Sequence, residues 1–215
     1  MERYNSLMKP EWGHSHMIKR ILYLMVLVLV LTSCSSTSGQ TLQAGRAKSP
    51  AEVKKALSGL IEQKDEVEKI SFYVSQTTEE NQDKSDAYIY FSKRDGIVSN
   101  LRFVFNYVGN RHLNTKWIKI RADEQLFEMS HLEYLVHKSS DFRTVQETYD
   151  SPVYLNDLKM LKSMANAEKT IVRFIGSSFV QEDIVLNERQ KQAMLNVLRA
   201  YKNAGGVNEL YGNEL

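Results

Sequence analysis

The stretch that decides the fold is AYIYFSKRDGIVSNLRFVFNYV, residues 87–108. Two runs rich in aromatic and β-branched residues, 87–93 and 97–108, flank the pair Asp95-Gly96. An Asp-Gly pair between two such runs is a strong signal for a β-hairpin, because both positions of the tight turn need a positive φ. The sequence therefore predicts two long antiparallel strands joined by a two-residue turn.

A two-residue turn also predicts the register of this hairpin. It would place Tyr88 opposite Phe103 and Tyr90 opposite Leu101. Cross-strand pairs of aromatic and apolar side chains stabilise a sheet, so this pairing supports the assignment.

Further strands are expected on both sides of the hairpin. Residues 70–75 alternate apolar Ile70, Phe72 and Val74 with Ser71, Tyr73 and Ser75, the pattern of a half-buried strand, and a polar loop over 76–86 follows. Residues 115–121 (TKWIKIR) form the next strand of an antiparallel meander. Residues 125–149 allow two interpretations: short strands over 126–129, 133–137 and 142–149, or a helix over 125–137.

Three helices are predicted from their start signals. Ser49-Pro50-Ala51-Glu52 is a capping box with proline at the first helical position, and predicts a helix from 50 to about 64. Ser151-Pro152 repeats the signature before an apolar stripe over 155–165. Asn187 and Gln190 form the capping box of a last helix, which Gly205-Gly206 ends. The apolar segment 168–176 between the last two helices reads as an internal strand.

This order of elements predicts an α+β fold: a mainly antiparallel β-sheet (meander) with an N-terminal helix and two C-terminal helices packed on it. We expect one globular domain over 49–205 and a frayed tail over 206–215. Cys34 is the only cysteine, so no intrachain disulfide can stabilise this domain.

The N-terminal region carries a different signal. Lys19-Arg20 precedes an apolar run over 21–31, which is shorter than the ~20 residues needed to span a bilayer. The run closes on Leu31-Thr32-Ser33-Cys34. This pattern resembles a bacterial lipoprotein signal peptide whose lipobox ends at Cys34. The alternative is an ordinary signal peptide cut after a small residue such as Ser33.

The lipoprotein resemblance implies lipidation of Cys34, with diacylglycerol on the sulfur and an acyl chain on the new amino terminus. Residues 1–33 would be removed, and the membrane would be a partner through this anchor. Ser35 stands where aspartate would retain a lipoprotein in the inner membrane, so the outer membrane is favoured in a bacterium with two membranes. Met17 is the expected true start. Residues 34–48, rich in Ser, Gly and Gln, are expected to be a flexible tether.

The charge distribution argues against a nucleic-acid partner. The whole chain has a formal charge of +2. Residues 1–33 hold four basic and two acidic residues, so residues 34–215 are formally neutral. A neutral domain has no overall field to attract nucleic acid or anionic lipid. Another envelope protein or a cell-wall component is a more suitable partner for an exported, lipid-anchored chain.

Candidate metal and nucleophile sites in the sequence are weak. His131, Glu133 and His137 would share one face of a strand, but the two histidines would then lie about 20 Å apart, too far for one ion. Ser177-Ser178 follows Gly176 but lacks the second glycine and the immediate helix of a nucleophile elbow. We therefore expect exposed histidines and an ordinary polar turn, with no metal and no cofactor.

Acidic and aromatic residues offer two further candidate sites. Carboxylate pairs, as used in glycoside hydrolysis, could come from Asp150, Asp157, Glu182 and Asp183, the last two in a predicted loop. The aromatic cluster comprises Tyr88, Tyr90, Phe103, Phe105, Tyr107 and Trp117. We interpret it as a core layer, the alternative being a face that binds a sugar, a peptide or a protein. The tyrosines are expected at a surface before the phenylalanines, since each hydroxyl needs a partner.

The leading hypothesis is a non-catalytic, lipid-anchored envelope protein that acts as a binding or assembly module. An envelope hydrolase is the alternative, with the acids above or His112, His131 and His137 as its catalytic groups. A third hypothesis is a small-ligand carrier with an apolar cavity lined by Met160, Met164 and Met194.

Overall fold

The computed structural model describes residues 48–141 and 143–206. The helices of this part are α1 (Pro50–Leu57), α2 (Gln76–Glu80), α3 (Leu155–Asn166) and α4 (Glu188–Asn203). The strands are β1 (Ile61–Asp65), β2 (Ile70–Val74), β3 (Asp86–Arg94), β4 (Ile97–Gly109), β5 (Thr115–Ala122), β6 (Gln125–Met129), β7 (Val136–Ser140), β8 (Val145–Pro152), β9 (Thr170–Gly176) and β10 (Gln181–Leu186). The α+β class is confirmed.

The strands form two sheets instead of one meander. The first sheet has the order β1-β2-β3-β4-β8-β7 and the second the order β10-β9-β5-β6. All neighbouring strands are antiparallel. β5 leaves the first sheet after the long hairpin and pairs with β9, which lies far away in sequence and is internal to the second sheet, as predicted.

The central hairpin forms with the predicted two-residue turn. Arg94 pairs with Ile97, and the turn residues Asp95 and Gly96 have φ values of 52° and 80°. Such left-handed conformations are the ones that a type I′ turn requires.

The predicted register of the hairpin was wrong by one residue beyond Ser92. The register shifts between Tyr90 and Ser92, so that Tyr88 pairs with Val104 and Tyr90 with Arg102. Asn100 has φ 56° at this irregularity and supplies the extra residue of a β-bulge. A bulge was not predicted, because the apolar alternation of β3 and β4 is compatible with either register.

The core lies between the first sheet, the second sheet and the helices. The ring of Phe91 contacts Tyr201 of α4 with centroids 5.3 Å apart, and Tyr107 of the first sheet contacts Phe174 of the second at 5.9 Å. The largest fully buried side chains are Tyr201, Phe91, Phe103, Phe105, Phe174, Ile89, Leu101, Ile118, Ile120, Leu161, Met164 and Met194.

The first helix is shorter than predicted. Its capping box is present, since the side chain of Ser49 accepts from the backbone of Glu52 and Glu52 accepts from Ser49 N. The helix ends at Leu57, just before Ser58-Gly59, and Ile61 starts the edge strand β1. Glycine is a poor helix former, which explains the break that the apolar spacing alone did not reveal.

Other boundaries also differ from the predictions. The polar segment 76–86 contains the short helix α2, and the predicted loop around Glu182 is strand β10. Ser151-Pro152 does not begin a helix: both belong to β8, and α3 starts at Leu155 with Asp157 accepting from the amide of Tyr154. Within 125–149 the strand interpretation is confirmed, with revised bounds.

The last helix agrees with its prediction, since Asn187 and Gln190 form the reciprocal capping box. The signal peptide, Cys34 and residues 34–47 of the tether lie outside the described residues, as does the tail from residue 207 onwards.

Candidate binding face on the first sheet

The two sides of the first sheet have different surroundings. On the core side Phe91 packs on α4, as described above. On the opposite side, neighbouring strands bring together Phe72, Tyr88, Tyr90, Arg102 and Asp150. We call these five residues the tyrosine face. All five are half-buried.

Two smaller residues lie beneath the side chains of the tyrosine face. Val104 and Asn106 lie on the same side of β4 as Arg102, because they alternate with the core residues of that strand. They are only 2% and 4% exposed. The larger side chains around them therefore cover these two residues.

A hydrogen-bonded triad fixes one end of this face. Tyr90 Oη donates to Asp150 Oδ2 at 2.7 Å, and Arg102 Nε donates to Asp150 Oδ1 at 2.8 Å. Burial, followed by the hydrogen bond to Asp150, raises the pKa of Tyr90 well above its usual range. The phenol therefore stays neutral, and the charges of Arg102 and Asp150 compensate each other.

The aromatic rings of the face form a connected row. Phe72 and Tyr90 meet edge to face with centroids 6.1 Å apart, and Tyr88 lies 6.5 Å from Tyr90. Burial, followed by the charges of Asp150 and Asp86, raises the pKa of Tyr88 to about 12. Among the described residues, nothing makes a hydrogen bond with the Tyr88 hydroxyl. This hydroxyl is a neutral group able to donate to a ligand.

A polar cavity of about 340 Å³ adjoins Tyr88. Its lining is mostly amides, acids and hydroxyls and includes no lysine or arginine: Gln63, Val74, Thr78, Glu79, Asn81, Gln82, Asp83, Asp86, Tyr88, Asn106 and Gln146. Such a cavity can hold a small polar group next to the Tyr88 ring.

Two buried groups keep the wall of this cavity in place. Asp86 accepts from Gln190 Nε2 at 2.7 Å and Asn81 Nδ2 at 3.2 Å, and burial raises its pKa. Asn106 Oδ1 accepts from Gln146 Nε2 at 2.8 Å and from Thr148 Oγ1 at 2.9 Å. The polar wall is thus held by contacts that exist before any ligand binds.

A second, more open depression of about 830 Å³ lies between the β5–β6 turn and α3. Its lining mixes acids, amides and lysines with Leu155 and Leu158, and contains no aromatic ring. The tyrosine face is the better candidate because it combines aromatic rings with a hydrogen-bonded triad.

The candidate metal ligands are not brought together. His131 is exposed at a turn with φ 59°, and His137 is exposed on β7. One carboxylate oxygen of Glu133 is buried and has no hydrogen-bond partner among the described residues. Across 48–141 and 143–206, no three His, Cys, Asp or Glu residues are placed to hold one metal ion.

The candidate carboxylates have separate structural partners. Asp150 belongs to the triad, Asp157 caps α3, Glu182 lies 3.7 Å from Arg111, and Asp183 makes a bidentate pair with Arg173 at 2.7 Å. Each of these candidate acids therefore serves a structural contact of its own. Ser177 and Ser178 lie exposed in the β9–β10 turn, as expected.

The aromatic cluster divides between core and surface. Phe103, Phe105 and Tyr107 are buried, which confirms the core interpretation for them. Tyr88 and Tyr90 reach the opposite side of the sheet. Trp117 stacks on Phe179 with centroids 5.9 Å apart, away from the tyrosine face. The preference of the tyrosines for a surface over the phenylalanines is confirmed for this pair.

The carrier hypothesis requires an apolar cavity lined by three methionines, and the structure places no cavity at these residues. Met160, Met164 and Met194 are at most 3% exposed and pack in the core cluster. Neither cavity described above is lined by them.

Sequence reasoning missed two important residues. Arg102 became part of the face only through the bulge. Glu147 was unremarkable in the sequence, yet its side chain is fully buried. The signal that could have revealed Glu147 is its place two residues before Tyr149, on the inward side of β8.

Comparisons with known proteins gave no relative for this chain: scans of family models, curated proteins and solved structures each returned no match. Within the described residues, no helix has the length and apolarity to cross a bilayer.

Proposed function

We propose that this chain is a lipid-anchored, non-catalytic binding module of the bacterial cell envelope, and that the tyrosine face is its binding surface. The observation that supports this most directly is the triad of Tyr90, Asp150 and Arg102. It fixes an aromatic surface in advance of binding, which lowers the entropic cost of ligand capture. Tyr88 beside it keeps an unused hydroxyl and a half-buried ring.

The arrangement of the acids and histidines supports binding over hydrolysis. General acid–base catalysis needs groups that converge on one reacting atom. Here each candidate acid serves its own cap or ion pair, and the histidines at 131 and 137 are exposed on separate elements. The tyrosine face holds one carboxylate, whose two oxygens are already engaged by Tyr90 and Arg102.

The proposed anchor is Cys34, from the resemblance of 31–34 to a lipobox. The test is the intact mass and amino-terminal sequence of the protein isolated from membranes. We expect a chain that begins at Cys34 and carries the mass of its acyl groups, and Cys34→Ala should accumulate as an unprocessed precursor. A mature chain that begins elsewhere without lipid would contradict the anchor.

The binding role is tested by retention of the full chain, in detergent, on isolated envelope material. Wild type is compared with Tyr88→Ala. Phe179→Asn serves as the matched control because Phe179 is an exposed aromatic in the β9–β10 turn. We expect retention of wild type and control, and its loss for Tyr88→Ala. Equal retention of all three would overturn the proposal. Turnover of an envelope substrate that Asp150→Asn abolishes would establish the hydrolase instead.

A further inference from the structure

We infer that the ligand of the tyrosine face is an uncharged, polyhydroxylated chain, that is, a neutral glycan. This inference rests on the proposed binding function and specifies its ligand. It is carried by three features of the face and its cavity: the balance of charge, the position of the face within the sheet, and the combination of an aromatic ring with side-chain amides.

The charge balance disfavours a polyanion. The one cation of the tyrosine face, Arg102, is paired with Asp150 at 2.8 Å. The adjoining cavity is lined by Glu79, Asp83 and Asp86 and by no lysine or arginine. Phosphate and sulfate groups are bound mainly through unpaired cations, which the tyrosine face and the cavity lining lack. A phosphorylated or sulfated polymer would therefore be repelled.

The position of the face disfavours an extended peptide. Peptides that bind to sheets do so by adding a strand at a free edge, where backbone groups are unpaired. Tyr88 and Tyr90 belong to β3, and Arg102 to β4, and both strands lie inside the sheet. β4 pairs with β3 on one side and with β8 on the other, whereas β2 pairs with β3 only over 91–93. The side chains of the tyrosine face project from the plane of the sheet and not from its edge. A ligand here must bind through side chains, across the strands.

The side chains of the tyrosine face and its cavity are of the types that bind sugars in proteins. A pyranose ring presents an apolar face of C–H groups, which packs on an aromatic ring, and an equatorial rim of hydroxyls, which hydrogen-bond to planar amides and carboxylates. The Tyr88 ring lines the cavity together with Gln63 and Gln146. Each of these two amides donates one hydrogen bond, Gln63 to Glu79 and Gln146 to Asn106, and has a second N–H and a carbonyl oxygen that can bind a sugar hydroxyl. The cavity volume of about 340 Å³ is at the lower end of the range for small-ligand sites, about 300–1,000 Å³. It suits one part of a chain whose remainder contacts the rings of the tyrosine face.

Titration calorimetry of the full chain in detergent tests this directly. The neutral probes are the β-1,4-linked N-acetylglucosamine tetramer, cellopentaose and maltopentaose; heparin is the polyanion and trilysine the basic peptide. We expect at least one neutral oligosaccharide to bind, and heparin not to bind. Tyr88→Ala should weaken this binding about tenfold or more, consistent with the loss of one stacking contact, whereas Tyr88→Phe, which keeps the ring, should weaken it less.

Phe179→Asn is the control for a general effect of aromatic loss, and thermal unfolding of each variant verifies folding. Binding of heparin or trilysine with no response to any neutral oligosaccharide would overturn the glycan inference. So would equal glycan affinity in wild type and Tyr88→Ala. If glycans fail while retention on envelope protein still depends on Tyr88, the binding module stands and its ligand is a protein. If retention does not depend on Tyr88, the proposed function itself fails.

Discussion

The carboxylate of Glu147 accepts hydrogen bonds from both the amide and the hydroxyl of Thr115, at 2.8 and 2.7 Å. Glu147 belongs to β8 of the first sheet and Thr115 begins β5 of the second. The backbone amide of Asn114 also donates to Glu147 Oε1 at 2.8 Å, and His112 Nδ1 lies 3.3 Å from the same oxygen. This buried carboxylate joins the two sheets where the chain passes from one to the other.

Glu147→Gln should destabilise the protein by about 2–3 kcal/mol. Both carboxylate oxygens of Glu147 accept hydrogen bonds, whereas the glutamine side chain has one oxygen that accepts and one nitrogen that does not, so buried donors would lose their partner. Chemical denaturation at pH 7 measures this. Glu128→Gln is the matched control, since Glu128 is exposed and pairs with Lys119 at the surface. The control should change the free energy of unfolding by less than about 1 kcal/mol. Equal effects of the two variants would contradict the role of Glu147.

The stabilisation by Glu147 should depend on pH. Burial alone would raise its pKa, but the hydrogen bonds from Thr115, Asn114 and His112 outweigh burial and lower the pKa below the ordinary value of 4.5. A lowered carboxyl pKa contributes stability above about pH 4.5 that is lost as the pH falls through the folded-state pKa. The difference in unfolding free energy between wild type and Glu147→Gln should therefore shrink below pH 4.5. A difference that stays constant with decreasing pH would contradict this.

The bulge at Asn100 gives a backbone prediction. Asn100 is exposed with φ 56°, a conformation that asparagine and glycine tolerate and β-branched residues avoid. Asn100→Gly should change stability by a few tenths of a kcal/mol, whereas Asn100→Val should cost about 1–2 kcal/mol. Ser99→Val, one residue earlier in the same strand and without positive φ, serves as the control and should cost less. Thermal unfolding ranks the three, and equal tolerance of valine at 99 and 100 would refute the bulge.

Lys191 should be essential for the contact between α4 and the end of α3. It is 3% exposed, and its Nζ donates to the carbonyls of Ala167 and Glu168 at 2.7 and 2.9 Å. Lys191→Met would leave these carbonyls without their donor and lower the free energy of unfolding by about 1–3 kcal/mol. The exposed Lys202 on the same helix gives the control variant Lys202→Met. If the two variants unfold at the same denaturant concentration, the contact does not stabilise the fold.

The Tyr88 hydroxyl should lose its proton at a higher pH than an exposed tyrosine does. Its pKa of about 12 exceeds the ordinary value of 10, because the half-buried ring lies near Asp150 and Asp86. The NMR resonance of the Tyr88 ring is assigned by its absence from the spectrum of Tyr88→Phe. In a pH titration of the wild type, the chemical shift of this resonance should therefore change with a midpoint near pH 12. Since the unfolded chain ionises first, Tyr88 should also make stability fall between pH 10 and 12. A midpoint at pH 10 would show that the ring is fully solvated and would contradict its half-buried position in the tyrosine face.

Local signals in the sequence predicted the elements that depend on local chemistry. The Asp95-Gly96 turn and the Asn187–Gln190 cap are determined by a few adjacent residues, and both formed as expected. The division into two sheets was not predicted, because it depends on β5 pairing with β9, about fifty residues later in the chain. The hydrophobic periodicity of a strand does not indicate which distant strand it pairs with.

Only part of the candidate site was predicted from the sequence, because its composition also depends on strand pairing. The sequence singled out Tyr88 and Tyr90 but placed them opposite Phe103 and Leu101. The bulge at Asn100 shifted the pairing, so that Tyr90 came to lie beside Arg102 and Asp150. A single extra residue in β4 therefore decides which side chains share the face. Composition and alternation do not reveal such an insertion.

Site-specific photocrosslinking in cells tests the central claim most directly. A photoreactive benzoylphenylalanine is placed at position 88 of the full chain in one strain and at position 179 in another. We predict that position 88 captures saccharide-containing envelope material, and that position 179, exposed in the β9–β10 turn, does not. Capture from position 179 with none from position 88 would contradict the assignment of the tyrosine face as the binding surface.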